Sequence, residues 1–285
     1  NVATRPAVMP MRDTTPSATH TPRKRFGQNF LHDARVIQRI VSAIAPKESE
    51  PVLEIGPGQG ALTQALLVYQ PQLTAVELDR DLVTLLQEKF ATEKNFSLCA
   101  GDALKFELTQ LSPAPHSLRV VGNLPYNIST PLLFHLLQQR EWIRDMHFML
   151  QKEVVQRLAA EPGGKDYGRL SVMAQYYCYV TPLFDVPPGS FFPPPKVMSA
   201  IVRLQPRVPS TLAKDEQLLS ALVNTAFQQR RKTLRNTLKT IASEAQILAA
   251  NIKPDARAET LSVSDFVHLA NILHGDIECP ASASK

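Results

Sequence analysis

The sequence predicts an α/β protein: a doubly wound, mostly parallel sheet with helices on both faces, followed by a small all-helical domain. Three observations predict it. Between residues 52 and 150, short apolar runs alternate with stretches of helical length. The loops after those runs carry glycines and acids, where such sheets hold their ligands. Past Pro209 the pattern becomes wholly helical.

At 285 residues and 44% hydrophobic, the chain can build one large core and a smaller one. We read a disordered tail (1–22), a main domain (23–208), a helical domain (209–275) and a second tail (276–285). No apolar run approaches a membrane span, and no signal-peptide core is visible. Cys99, Cys178 and Cys279 are odd in number, widely spaced and without metal-ligand spacing, so reduced thiols in a cytoplasmic protein and no metal site are expected. A monomer is also expected. The sequence pI near 9.1 suggests a polyanionic partner. The charge is uneven, however: residues 1–25 hold five cations against one acid, +4 of the total +5.

In chain order, Arg23, Lys24 and Arg25 suit a phosphate backbone, and equally a solvated tail leading into a helix cap at Asp33. Val36, Ile37, Ile40, Val41 and Ile44 then form one face of a helix that Pro46 ends. The alternation that follows gives strands at 52–55, 73–78, 96–100, 118–121 and 146–150, with helices at 61–69, 80–90 and 131–139. Residues 171–180 and 197–204 read as strands completing the sheet.

The loops after the strands carry the chemistry. The first is Glu54-Ile55-Gly56-Pro57-Gly58-Gln59-Gly60, whose glycines permit a tight turn and close approach of a ligand. It is neither a dinucleotide G-x-G-x-x-G nor a P-loop. The second strand ends at Glu77-Leu78-Asp79, where an acid can bond both hydroxyls of a ribose. The third leads into Gly101-Asp102-Ala103, a second acid poised for an adenine amine. Three acids and no phosphate-binding cation imply an adenosine without phosphates, and S-adenosylmethionine fits.

The fourth strand runs into Asn123-Leu124-Pro125-Tyr126. Pro125 pushes Leu124 into an extended conformation and offers its carbonyl no N–H. The Asn123 amide oxygen and the Leu124 carbonyl are then two acceptors suited to a two-hydrogen amine, with Tyr126 placed to stack on a ring beside it. Such catalysis works by position and electrostatics, with no strong base. Alone, the same four residues also make an ordinary turn. Further on, the stiff loop 186–196 presents Phe191 and Phe192. Phe191 is expected opposite Tyr126 around a splayed-out purine, and Phe192 in the core. Residues 228–239 hold Arg230, Arg231, Lys232, Arg235 and Lys239 without an acid. Arg231, Arg235 and Lys239 are expected to share one helix face that contacts RNA.

Several blocks together resemble a known family. They are Lys24-Arg25-Phe26-Gly27-Gln28-Asn29-Phe30-Leu31, Glu54 to Gly58, Glu77-Leu78-Asp79, Gly122 to Ser129, His147 to Val154, Tyr167 to Val172, Phe191 to Val197 and Gln229 to Thr233. These look like the ribosomal RNA adenine-N6,N6-dimethyltransferases, most closely those of the bacterial small subunit. The resemblance spans most of residues 23–275. It implies a Rossmann-like class I methyltransferase sheet, a helical C-terminal domain and S-adenosyl-L-methionine as donor. It places Asn29, Leu31, Gly56, Glu77, Asp102 and Asn123 at the donor, and Gln28, Glu54, Gly58, Leu78 and Ala103 are expected beside them. It also implies that Asn123, Leu124, Pro125, Tyr126 and Phe191 hold the adenine.

The implied substrate is a pair of adjacent adenines in the 3′-terminal hairpin of 16S rRNA, within the small subunit or its precursor. Gln59-Gly60 departs from the family pattern, and the extra glycine should be tolerated in a loop. Three alternatives stand beside this reading. A large-subunit rRNA dimethyltransferase shares the core. A DNA adenine methyltransferase would usually carry an acid at position 123. An assembly factor could matter through binding rather than methylation.

Overall fold

The computed structural model describes residues 28–229 and 231–278. The expected tail 1–22, the cations Arg23, Lys24, Arg25 and Arg230, and residues 279–285 lie outside that range. A short strand β1 (Phe30–Leu31) precedes α1 (Ala34–Ile44), and then β2 (Pro51–Ile55), α2 (Ala61–Leu67), β3 (Gln72–Glu77), α3 (Arg80–Lys89) and β4 (Phe96–Ala100) alternate. The second half of the alternation is β5 (Leu118–Asn123), α4 (Ser129–Gln138), β6 (Ile143–Gln151) and α5 (Lys152–Leu158). It continues through α6 (Arg169–Tyr177), β7 (Cys178–Val186), β8 (Phe191–Phe192) and β9 (Ser199–Pro206). Four helices follow: α7 (Glu216–Phe227), α8 (Leu234–Thr237), α9 (Glu244–Ala249) and α10 (Val263–Glu278).

The main sheet has seven strands in the order β4-β3-β2-β5-β6-β9-β7. The first five run parallel, and β9 joins antiparallel to both β6 and β7. Strand order reverses direction between β2 and β5, which makes the carboxyl ends of these two strands the natural crevice. Gly122 permits the close pairing there, since a Cβ at this position would lie 2.4 Å from the Ile55 carbonyl oxygen. One face of the sheet buries Val36, Ile40 and Ile44 of α1 with Leu62 and Leu66 of α2. The other buries α4, α5 and α6, and its core runs unbroken into the C-terminal helices through Leu219, Leu222 and Phe266.

The ends of α1 follow from its sequence. Asp33 accepts from the amides of Arg35 and Val36, and Ala45 turns left-handed (φ 48°) just before Pro46. Gly60 is more than a tolerated extra glycine. It sits at φ 79° as the cap of α2, and a Cβ there would come within 2.7 Å of the Phe90 ring.

Two expected elements are corrected. Residues 169–177 form helix α6, and the strand starts only at Cys178. All but Arg169 and Gln175 of that helix are buried between the sheet and the C-terminal helices, so its apolar run is continuous and has no helical period to read. Nor do residues 228–239 form one helix. The chain leaves α7 through turns and makes only the single turn of α8. The amides of Leu234 and Arg235 donate to the carbonyls of Ala256 and Pro254, which takes them out of any continuing helical ladder.

Candidate active site

The loops after β2, β3, β4 and β5 meet the segment before α1 around one cavity. Its wall is made by Gln28, Asn29, Leu31, Glu54, Gly56, Gly58, Glu77, Leu78, Asp102, Ala103, Asn123, Leu124, Pro125 and Tyr126. At about 170 Å³ it is far larger than the ~15 Å³ that one water requires. The structure thus gathers 14 of the 15 donor- and adenine-site residues expected from sequence around one space.

The segment 28–33 closes one side and is tied down at several points. Gln28 Nε2 donates to Asp79 Oδ2 at 2.9 Å, and β1 pairs antiparallel with β8. The His32 amide donates to the Ser190 carbonyl, and Ser190 Oγ donates to Asp33 Oδ2 at 2.9 Å. Asp79 is therefore spent on structure, since its other oxygen caps α3.

The three acids differ in how free they are. Glu77 Oε1 accepts from the amides of Leu78 and Asp79 at 2.9 Å, and Oε2 from Gly58 at 3.3 Å. Burial still pushes this carboxyl above the usual range. Three donors fix its plane, and the carboxyl lines the cavity. Asp102 accepts from the Leu104 amide through Oδ1, and Oδ2 accepts from none of the described residues. Glu54 is 1% exposed and accepts from Thr63 Oγ1 at 2.7 Å. Its burial, with Glu77 nearby, pushes its carboxyl up to about 7. A bound cation would favour its ionised form.

At the end of β5, Asn123 Nδ2 donates to the Asn29 carbonyl at 3.0 Å. The bond fixes the amide and leaves its oxygen without a donor from the described residues. The Leu124 amide donates to Met149 at 3.2 Å, while the Leu124 carbonyl accepts from none of the described residues. The loop is held by the Ile128 amide on the Pro125 carbonyl and Ser129 Oγ on the Tyr126 carbonyl. The Tyr126 hydroxyl lies 2.7 Å from the buried Ser199 Oγ, so the ring is pinned at its far end. Burial raises its pKa and keeps it protonated.

Phe191 requires correction. It is 2% exposed and packs in the core with Leu31, Val186 and Ile201, whereas Phe192 is 53% exposed. Pairing of Leu31 with Phe191 turns that ring inward, and the two-residue alternation of a strand turns Phe192 out. The burial is the reverse of the sequence reading, which had no register for this strand. The basic residues Arg231, Lys232, Arg235 and Lys239 are exposed. They do not share a helix face, and Arg235 lies 3.8 Å from Glu244 Oε1. Sequence reading missed His147, which also lines the cavity. A lone polar residue inside the apolar run 146–150 was the available signal.

An acid-lined cavity at the carboxyl ends of β2, β3 and β4, beside a neutral amide at the end of β5, defines a class I S-adenosylmethionine-dependent methyltransferase. A family model described as ribosomal RNA adenine dimethylase matches residues 19–275, and the chain belongs to that family. Among curated relatives, the ribosomal RNA small subunit methyltransferase A of Pseudomonas fluorescens (strain Pf-5) is 62% identical over 89% of this chain and 94% of its own. That of Pseudomonas aeruginosa (strain PAO1) is 60% identical over 89% and 95%. A dimethyladenosine transferase from Plasmodium falciparum has a similar structure, with a TM-score of 0.72, 27% identity and coverage of 84% and 95%. The 23S rRNA methyltransferase ErmE is also similar, with a TM-score of 0.66, 27% identity and coverage of 86% and 100%.

Proposed function

We propose that the chain dimethylates N6 of two adjacent adenines in the 3′-terminal hairpin of 16S rRNA, as a cytoplasmic monomer acting on the small subunit or its precursor. The observation that carries this reading is the pair of open acceptors at Asn123 and Leu124, beside a cavity suited to an adenosine. In support, the small-subunit enzymes quoted above are 60–62% identical over nearly their whole length.

The residues fit the donor chemically. Glu77 suits the ribose hydroxyls, Asp102 the adenine amine, and Glu54 the positive charge. When bound, S-adenosylmethionine supplies an electrophilic methyl group. Asn123 Oδ1 and the Leu124 carbonyl take the two hydrogens of the target amine and draw its lone pair out of the ring. The amine becomes acidic once alkylated, so no protein base is required. Tyr126 stacks on the flipped base, and Phe192 rather than Phe191 is the ring of its loop with a face open to RNA. The exposed cations Arg231, Lys232, Arg235 and Lys239 meet phosphates, together with Arg23, Lys24, Arg25 and Arg230.

Labelled methyl transfer to unmethylated small subunits, large subunits and duplex DNA, followed by nucleoside analysis, tests the reading. N6,N6-dimethyladenosine in small subunits alone is the expected outcome. Label in large subunits or in DNA would replace it with one of the alternatives.

A further inference from the structure

His147 has no part in the chemistry above, yet its setting is unusual. It is 3% exposed, neither ring nitrogen has a hydrogen-bond partner among the described residues, and it lines the donor cavity with Ile40, Met149 and Ile201. Asp145 lies beside it, with Nδ1 3.6 Å from Oδ1, beyond hydrogen-bond length. Asp145 is already engaged by two bonds of 2.9 Å from Arg119. Buried polar groups are almost always hydrogen-bonded, so an imidazole open at both nitrogens points to a partner that enters the cavity.

The sheet order says which part of a ligand that is. Glu77 lies at the end of β3 and Asp102 follows β4, so ribose and adenine belong over that side. His147 lies on β6, beyond β2 and β5. It pairs with Val121, while Asn123 pairs with Met149. The histidine is therefore one strand repeat, about 7 Å, below the row that carries Asn123. A ligand with its adenosine over β3 and β4 extends its other end toward this position. Glu54 pairs with Val121 from the opposite side, so an acid and an imidazole flank one cross-strand row on the cavity floor.

We propose that His147 is a positioning residue for the amino-acid end of the methyl donor. With the Nδ1 proton directed at Asp145, Nε2 is an acceptor and matches the donor's α-ammonium group, directly or through one ordered water. This inference rests on the donor-binding reading above.

Calorimetric titration of the full chain with S-adenosylhomocysteine and with 5′-methylthioadenosine, which lacks the amino-acid end, tests it. Wild type, His147→Leu and His147→Gln are compared, with Tm recorded for each. The leucine variant is expected to bind S-adenosylhomocysteine about tenfold more weakly, roughly one hydrogen bond to a charged group. Its affinity for 5′-methylthioadenosine should match wild type, its Tm should not fall, and glutamine should restore most of the loss. Equal weakening for both ligands, or a lower Tm with unchanged affinity, would make His147 a packing residue and overturn the proposal. Failure of wild type to bind S-adenosylhomocysteine would remove the donor reading itself, and this inference with it.

Discussion

At the amino-terminal edge of β5 and β6, Arg119 meets Asp145 through two bonds of 2.9 Å and Glu50 at 3.2 Å, and its Nη1 also donates to the Ala45 carbonyl. At the carboxyl edge of the same two strands, the Asn123 oxygen and the Leu124 carbonyl have no donor among the described residues, and between the two edges the His147 nitrogens have no hydrogen-bond partner among them. The two ends are about four residues apart and are built on opposite rules. Polar groups at the base satisfy one another and hold the strands in register. Those at the top are held in place yet left open, as groups must be when a ligand is to complete them.

Removing a partner at the base should produce the largest effect. Arg119→Met leaves Asp145 buried without its cation and Glu50 with Arg144 alone, and should cost about 3–5 kcal/mol of stability in urea unfolding. Methyl transfer per folded molecule should stay near wild type. Next come the two phenylalanines. Phe191→Ala opens a core cavity and should cost about 3 kcal/mol. Phe192→Ala should change stability by less than about 0.5 kcal/mol and weaken RNA binding instead. A stable Phe191→Ala with lost turnover would return that ring to the target pocket.

Two buried carboxyls sharpen the contrast through pH. Against its burial, the Arg119 guanidinium bonded to both its oxygens holds Asp145 down to about 2, from an ordinary 3.8. Its contribution, about 2 kcal/mol, is present above pH 4 and is lost as pH falls through 2. Glu54 is pushed up to about 7 from 4.5, chiefly by burial. The folded state then binds a proton that the unfolded state has lost, so stability falls by about 3 kcal/mol as pH rises from 4.5 to 7. Glu54→Gln should flatten that fall in urea melts at pH 5 and pH 8. The smallest effect belongs to the surface. Arg235→Gln or Lys239→Gln should each lower the salt dependence of RNA binding by about one unit of slope, with little change in stability.

Much of this fold was legible because a parallel sheet has a simple rule, that ligands sit after the strands. Glu77, Asp102 and Asn123 could be placed from that rule alone. What stayed hidden depended on tertiary contact. Helix α6 is buried nearly all round, so its sequence carries no period. The segment 228–239 turns because residues 254 and 256 take its amides, a contact that local sequence cannot express. The inward turn of Phe191 depends on pairing with Leu31, 160 residues away. His147 looked like one more member of an apolar strand until the cavity beside it was visible.

The claim underneath all of this is that a neutral pair of oxygens, one from an amide and one from a carbonyl, makes the adenine amine reactive. Single-turnover methyl transfer by Asn123→Ala to unmethylated small subunits, with donor affinity measured in parallel, tests it most directly. The expected result is a rate loss of about a hundredfold or more, with donor affinity and Tm changed far less. A rate within tenfold of wild type, or a loss that donor affinity alone accounts for, would contradict it.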